Sequence, residues 1–315
     1  MQVQVNPENF ERAESDRYFS ATVAKGGFGT FTHDRELVPL DRQPMVRMNR
    51  DTLSSAAVFD LDAGPVTITL PDAGERFISM MVLDEDQYVH EVVYAPGDYT
   101  LSNLMIGTRY AFVAIRILVD PRDPHDLARV HALQDAIEVG QASTGGFEVP
   151  DWDDGSRTQV RNALAALGQT LADTRHMFGT RDEVEPLKHL IGTALGWGGD
   201  PERDALSVSV FPADNDGTTI YRLTLEDVPV DGCWSISVYD ADGYFAADPR
   251  GACTVNSLTA KRDADGAVTI QFGGSDDTVN CLAIEPGWSY VVRLYRPRAE
   301  LLDGRWALPE ARPVR

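Results

Sequence analysis

MVRMNRDTLSSAAVFDLDAGPVTITLPDAGERFISMMVLDED, residues 45–86, is the stretch that decides the fold. Within it, residues 66–70 (VTITL) alternate apolar and polar side chains with a period of two, so one face can be buried while the other meets solvent; that is a strand. Ala63-Gly64-Pro65 breaks the chain before it and Pro71-Asp72-Ala73-Gly74 after it, because Pro fixes φ and Gly takes conformations that other residues avoid. The next run, residues 77–83, is apolar almost throughout and suits a strand covered on both faces. The two runs are expected to pair as an antiparallel hairpin. Just ahead of them stands the densest polar cluster of the chain, Asn49-Arg50-Asp51-Thr52.

Working outward, Asn6-Pro7 reads as a cap and first helical position, with a helix to about Lys25 ended by Gly26-Gly27. After the hairpin, residues 90–94, 97–101 and 110–119 read as strands. The period then changes. Apolar residues recur at three and four over residues 124–139, 156–172 and 182–197, as amphipathic helices require. Ser156-Arg157-Thr158-Gln159 matches a capping box, Pro186 suits a helix start, and Gly198-Gly199 a helix end. Beyond Asp200 the period returns to two at residues 206–211, 219–225, 233–239, 268–272 and 290–295. Asp-Gly turns stand at 216–217, 231–232, 242–243 and 265–266.

This pattern predicts a mainly β protein with helices: two β-sandwich or jelly-roll domains joined by a helical segment. The expected boundaries are an N-terminal β-rich domain over 1–140, a helical connector over 141–200 and a C-terminal β domain over 201–315. A ligand is expected in the cleft between the two β domains. Edge strands of such sheets need cover, so homo-oligomerisation is also expected to be open to this chain.

Charge excludes one class of partner. With 28 Lys and Arg against 49 Asp and Glu, the formal charge of -21 repels phosphate backbones and anionic headgroups, which argues against nucleic acid and membrane surfaces. No run approaches the roughly 18 apolar residues of a membrane span. The N-terminal residues lack the basic start and apolar core of a secretory signal, so the expected location of this form is cytoplasmic, or periplasmic if a leader has been trimmed. Cys233, Cys253 and Cys281 have no metal-ligand spacing, and one disulfide among them leaves a thiol over.

The candidate site residues fall into three groups. In the polar cluster, Arg50 offers a two-pronged bond to a substrate carboxylate and Asp51 a base or orienting group, with Asn49 and Thr52 as ligand contacts. The plainer reading is an internal ion pair with Asp51 and Thr52 capping a turn. His33 and His90 are the histidines expected to complete such a site. Asp84-Glu85-Asp86, with His90 four residues on, offers oxygen and imidazole ligands to a divalent cation, so Asp84 and Asp86 are the metal candidates; a solvated hairpin loop is the plainer account. Trp197, followed by Gly198-Gly199, offers a flat ring to a ligand, whereas Trp234, alternating with Ile236 and Val238, reads as core. There is no Gly-x-Ser-x-Gly elbow and no phosphate-cradling loop.

The phrases Arg47–Leu53 (RMNRDTL) and Phe59–Val66 (FDLDAGPV) resemble the signature of the domain of unknown function numbered 1254. Trp234–Asp240 (WSISVYD), Asp265-Gly266, Arg293–Pro297 (RLYRP) and Leu302–Trp306 (LDGRW) resemble its usual C-terminal companion, numbered 1214. The resemblance implies a bacterial or viral family of two β-rich domains joined by helices, some members carrying esterase-like labels and many carrying export signals. This chain departs from the pattern at Ser54, where Tyr is common, and at Cys253, where an aromatic is usual. It departs again at Ser275, which replaces a Cys that relatives pair in sequence with the one at Cys281. From residues and resemblance together, the expected function is binding of a small molecule or carbohydrate, or assembly. The alternative is a small-molecule hydrolase or lyase using Arg50, Asp51 and a nearby histidine.

Overall fold

A computed structural model describes residues 2–43, 46–245, 253–274 and 278–314; Ser275 lies outside the described residues. The protein is mainly β, with 29% strand and 21% helix. The chain divides into two units. Unit 1 (residues 1–35, 54–117 and 128–202) contains, in chain order, α1 (Phe10–Ala24), β1 (Thr32–His33), β2 (Thr52–Asp60), β3 (Val66–Leu70), β4 (Ile78–Asp84), β5 (Val89–Val93) and β6 (Gly97–Leu101). It continues with α2 (Asn103–Ile106), β7 (Tyr110–Leu118), α3 (Pro124–Asp135), β8 (Glu138–Gln141), α4 (Asp154–Gly168) and α5 (Pro186–Gly196). The first residues of β2 and α3 and the last of β7 fall in unit 2. Unit 2 (residues 36–53, 118–127 and 203–315) adds β9 (Ala205–Val210), β10 (Tyr221–Leu225), β11 (Trp234–Tyr239), β12 (Thr254–Asn256) and β13 (Val268–Phe272). It ends with β14 (Cys281–Leu282), β15 (Ser289–Tyr295), α6 (Ala299–Leu302) and β16 (Arg312–Pro313).

In unit 1 the five-stranded sheet runs β1-β2-β7-β4-β5 and the three-stranded sheet β6-β3-β8. The expected hairpin is therefore wrong: β3 and β4 are strands, but they lie in different sheets. β4 is buried along its whole length and takes an interior place between β7 and β5. β3 alternates buried and half-buried, and its outward Thr67 and Thr69 hydrogen-bond to Thr100 and Asp98 of β6. Each run joins the sheet whose two faces match its own.

α4 and α5 pack with each other and with α1, sharing an apolar cluster of Val5, Phe10, Ala13, Leu164, Met177 and Ile191. They belong to unit 1. α4 begins three residues earlier than the capping box indicates, because Asp153 is the N-cap and its carboxylate accepts from the Ser156 amide at 2.8 Å. α5 begins at Pro186, where the missing amide costs nothing.

α1 also buries charge. Asp16 is 2% exposed; burial pushes its pKa up to about 6, against the hydrogen bond donated by Trp152 Nε1 at 2.8 Å. Between pH 3.8 and about 6 the native state holds a proton that the unfolded chain has released, so stability falls as pH rises through that window. The loss is about 3 kcal/mol at roughly 1.4 kcal/mol per pH unit. Asp16→Asn keeps an acceptor for Trp152 and removes the charge. It is expected to be more stable than the parent above pH 6 and equal to it near pH 4; parallel urea curves at the two pH values check this, and a constant difference between them would refute it.

Unit 2 holds two four-stranded sheets, β14-β13-β10-β16 and β12-β11-β15-β9. Pairing is antiparallel except between β13 and β14. One core cluster draws on both sheets, with Leu223, Ile270 and Phe272 from the first and Ile236, Val292 and Leu294 from the second. Trp234, Ile236 and Val238 all point into it, as their alternation requires. No disulfide joins Cys233, Cys253 and Cys281 among the described residues.

Candidate functional site

In unit 2 the polar cluster of residues 49–52 is folded inward. β11 sends Trp234, Ile236 and Val238 into the core, which leaves Ser235, Ser237 and Tyr239 on its opposite face. Arg293 of β15 stands opposite Ser235 in register and is 9% exposed. Its guanidinium donates to the Arg47 carbonyl at 2.7 Å, to Tyr239 Oη at 2.8 Å and to Ser237 Oγ at 3.3 Å. Burial works against this cation, but Tyr239, Tyr295 and Asp51 outweigh it and hold its pKa above the ordinary value. Asp51 is 0% exposed, and its Oδ1 accepts from Thr254 Oγ1 at 2.9 Å and Asn256 Nδ2 at 3.1 Å.

The polar cluster is thus a packed network. Arg50 turns away from Asp51 and donates to the Val38 carbonyl. Asn49 bridges the Asp51 amide and Tyr295 Oη, both at 2.6 Å. Thr52 is buried at the start of β2. Arg50 and Asp51 are not bonded to each other, and the buried cation whose charge couples to Asp51 is Arg293. Nearby, burial and the Asp51 charge push the Cys233 thiol well up, which leaves it protonated and unreactive.

The histidines also separate. His33 on β1 and His90 on β5 occupy opposite edges of the five-stranded sheet, four strand spacings or roughly 19 Å apart. No single reacting atom can meet both. His33 Nδ1 lies 2.8 Å from Ser55 Oγ, and Gln134 Nε2 donates to the same hydroxyl at 3.3 Å. Burial and Arg35 keep this imidazole below its ordinary pKa. Ser55 is 1% exposed, so the pair ties β1 to β2 and presents no nucleophile. Trp197 is likewise committed to packing: its ring stacks on Tyr18 at 4.3 Å, meets Phe112 edge-on at 5.1 Å, and its Nε1 donates to Ser15.

What unit 1 does assemble is a pocket at the turn between β4 and β5. Asp84 Oδ1 accepts from the amides of Asp86 and Tyr88, both at 2.9 Å, while Oδ2 sits 2.9 Å from His90 Nε2. Gln87 takes φ 65 to close the turn. The Tyr88 ring stacks on His189 at 4.5 Å, and the Arg181 guanidinium lies 4.4 Å from its centroid. His189, 0% exposed, places Nδ1 and Nε2 each 2.9 Å from a carbonyl oxygen, of Met177 and Asp86 respectively. Asp84, Tyr88, His90, Thr108, Thr180 and Arg181 line a cavity of about 190 Å³.

The metal expectation does not fit these residues. Both Asp84 oxygens are engaged, and Asp86 Oδ1 is held by Arg12 at 2.8 Å. Among the described residues no group of three His, Cys, Asp or Glu side chains is placed to hold a metal ion. The pocket's ordering is different: a buried carboxylate fixes one nitrogen of His90, so in the neutral ring Nδ1 is the acceptor left for a ligand. Sequence reading singled out Asp84 as a metal candidate and His90 as a metal or catalytic candidate from their nearness along the chain. It missed Tyr88, Thr108 and Arg181, because Arg181 arrives from a loop some ninety residues along the chain that carries no periodic signal.

Residues 28–103 match the family described as protein of unknown function DUF1254, and residues 212–299 match DUF1214. The chain belongs to the family that joins these two domains in this order. Asp84, Tyr88 and His90 fall inside the DUF1254 match, whereas Thr108 and Arg181 fall beyond it. The chain is similar to the crystal structure of the VPA0106 protein from Vibrio parahaemolyticus, with TM-score 0.73, 17% identity, and 98% of this chain and 97% of that one covered. It is also similar to an uncharacterized protein from Burkholderia cenocepacia, with TM-score 0.56, 13% identity and coverage of 97% and 86%. Identities of this size show a shared fold. No protein with a curated description matches the chain. No helix among the described residues is long and apolar enough to cross a membrane.

Proposed function

We propose that this DUF1254–DUF1214 protein binds a small carboxylate in the pocket between Asp84, His90 and Arg181. One observation carries the reading: Arg181 is held against Tyr88 at 4.4 Å and forms no ion pair with any described carboxylate, while the two aspartates lining the pocket are already engaged, Asp84 by His90 and Asp86 by Arg12. A guanidinium in that state is a two-pronged receptor for a carboxylate. Thr108 and Thr180 supply hydroxyls, and His90 Nδ1 supplies an acceptor. At about 190 Å³ the cavity lies below the roughly 300–1,000 Å³ of sites for drug-sized ligands, so the ligand is a short acid. We read unit 2, with its two sheets around one core, as a β-sandwich that supports a binding role.

A second reading rests on the Asp84–His90 pair, which has the geometry of an imidazole base with its orienting carboxylate. In that case the bound acid is also a substrate, and His90 removes or returns a proton. Calorimetric titration with acetate, lactate and succinate tests the binding claim. At least one is expected to saturate, and Arg181→Gln to weaken it about tenfold, near 1.4 kcal/mol. Failure of all three acids to bind, or equal binding by the variant, would end this reading. His90→Asn that binds as well as the parent would remove the catalytic one.

A further inference from the structure

We infer that unit 2 carries a separate binding site for a sugar-sized polar anion, in the groove lined by Asp227, Ser257, Arg262 and Arg298 above Trp234. The inference does not depend on the pocket of unit 1. The groove opens where β10 ends at Leu225, β13 begins at Val268 and β11 begins at Trp234, so it sits at the mouth of the core shared by the two four-stranded sheets. Its volume is about 400 Å³, within the range of small-molecule sites and about twice that of the unit 1 pocket. A neighbouring depression of about 380 Å³ shares Asp227 and Arg262 with it, which lengthens the groove past the Asp265-Gly266 turn.

The polar groups on its walls are positioned by bonds made elsewhere. Arg262 Nη1 donates to the Gly266 carbonyl at 2.8 Å, and Gly266 holds φ 89, a conformation that glycine adopts without a Cβ clash. That single bond fixes the guanidinium at the rim and leaves its remaining donors for a ligand. Arg262 forms no ion pair with a described carboxylate. Arg298, by contrast, is paired with Asp231 at 2.6 Å, so it shapes the wall without carrying free charge. Asp227 sits at φ 41, a left-handed conformation that Asp and Asn adopt more readily than other non-glycine residues. It puts a carboxylate on the rim that makes no hydrogen bond with the described residues.

Arg262 and Asp227 together define the ligand. A free guanidinium calls for a carboxylate or phosphate; a free carboxylate beside it calls for hydroxyl donors on the same molecule. The edges of Val228, Val230 and Trp234 offer an apolar floor to a ring. A sugar acid meets all three demands, a neutral sugar lacks the partner for Arg262, and a bare anion lacks the hydroxyls for Asp227.

D-glucuronate, D-glucose and inorganic phosphate are the probes, titrated by calorimetry into the full chain. Glucuronate is expected to saturate, and glucose and phosphate to bind at least about tenfold more weakly. Arg262→Gln is expected to weaken glucuronate by about tenfold with an unchanged melting temperature. Asp227→Asn, which tolerates the same backbone, is expected to weaken it too without unfolding the unit. Arg181→Gln should leave glucuronate affinity alone, which separates this site from that of unit 1. Absence of saturation, phosphate binding as tight as glucuronate, equal affinity in R262Q, or loss of affinity in R181Q alone would each overturn the assignment.

Discussion

Glu14→Ala is expected to destabilise unit 1 by about 3–5 kcal/mol, the cost of leaving buried charge without its partner. Glu14 is 0% exposed on α1 and is the meeting point of three arginines. Arg17 reaches it at 2.7 Å, Arg157 of α4 at 3.0 Å, and Arg161 of α4 also contacts it. Removing the carboxylate leaves guanidiniums facing one another, with Arg157 retaining Asp154 at 2.7 Å and Arg161 retaining no described carboxylate. The pair α1 and α4 should therefore loosen first. Arg17→Ala is the contrast: its side chain is 39% exposed, so it should cost no more than about 1 kcal/mol. Native-state hydrogen exchange of the α1 and α4 amides reports both. Protection within about 1 kcal/mol of the parent in E14A would show that the cluster is not a stabilising joint.

The sequence carries the strands and helices better than it carries their partners. Periodicity is local, so VTITL at 66–70 and the apolar run after it are visible as strands. Pairing is not local: β3 finds β6 and β8, and β4 finds β7 and β5, because a seven-residue connection, residues 71–77, lets each run reach a different sheet. The helices between the two β-rich stretches show the same limit. Their amphipathic faces announce that something covers them but not that α1, more than a hundred residues earlier, does so. Sites follow the same division. Asp84 and His90 are close in sequence and turn out to be bonded, whereas Arg181 and Thr108 reach the pocket only through tertiary folding. Asn49-Arg50-Asp51-Thr52 is ambiguous in the sequence, because a dense polar cluster looks alike whether it faces a substrate or a buried arginine.

That last ambiguity is resolved by Arg293→Met, expected to destabilise unit 2 by about 3–5 kcal/mol. Met fills much of the arginine's volume, so the loss is chiefly electrostatic. Asp51 at 0% exposure is left facing no cation, and the Arg47 carbonyl, Tyr239 Oη and Ser237 Oγ lose a shared donor. Asp51→Asn should cost less, about 1–3 kcal/mol, because the amide oxygen can still accept from Thr254 and Asn256. In the double variant the stranded charges disappear together, so its cost should fall short of the sum of the singles by at least about 1 kcal/mol. Urea denaturation of the four proteins closes this cycle. Additive losses would separate Asp51 from Arg293. A D51N protein with unaltered stability would return Asp51 to the list of candidate bases, since a residue kept for chemistry can be neutralised without loosening the fold around it, and one kept as a countercharge cannot.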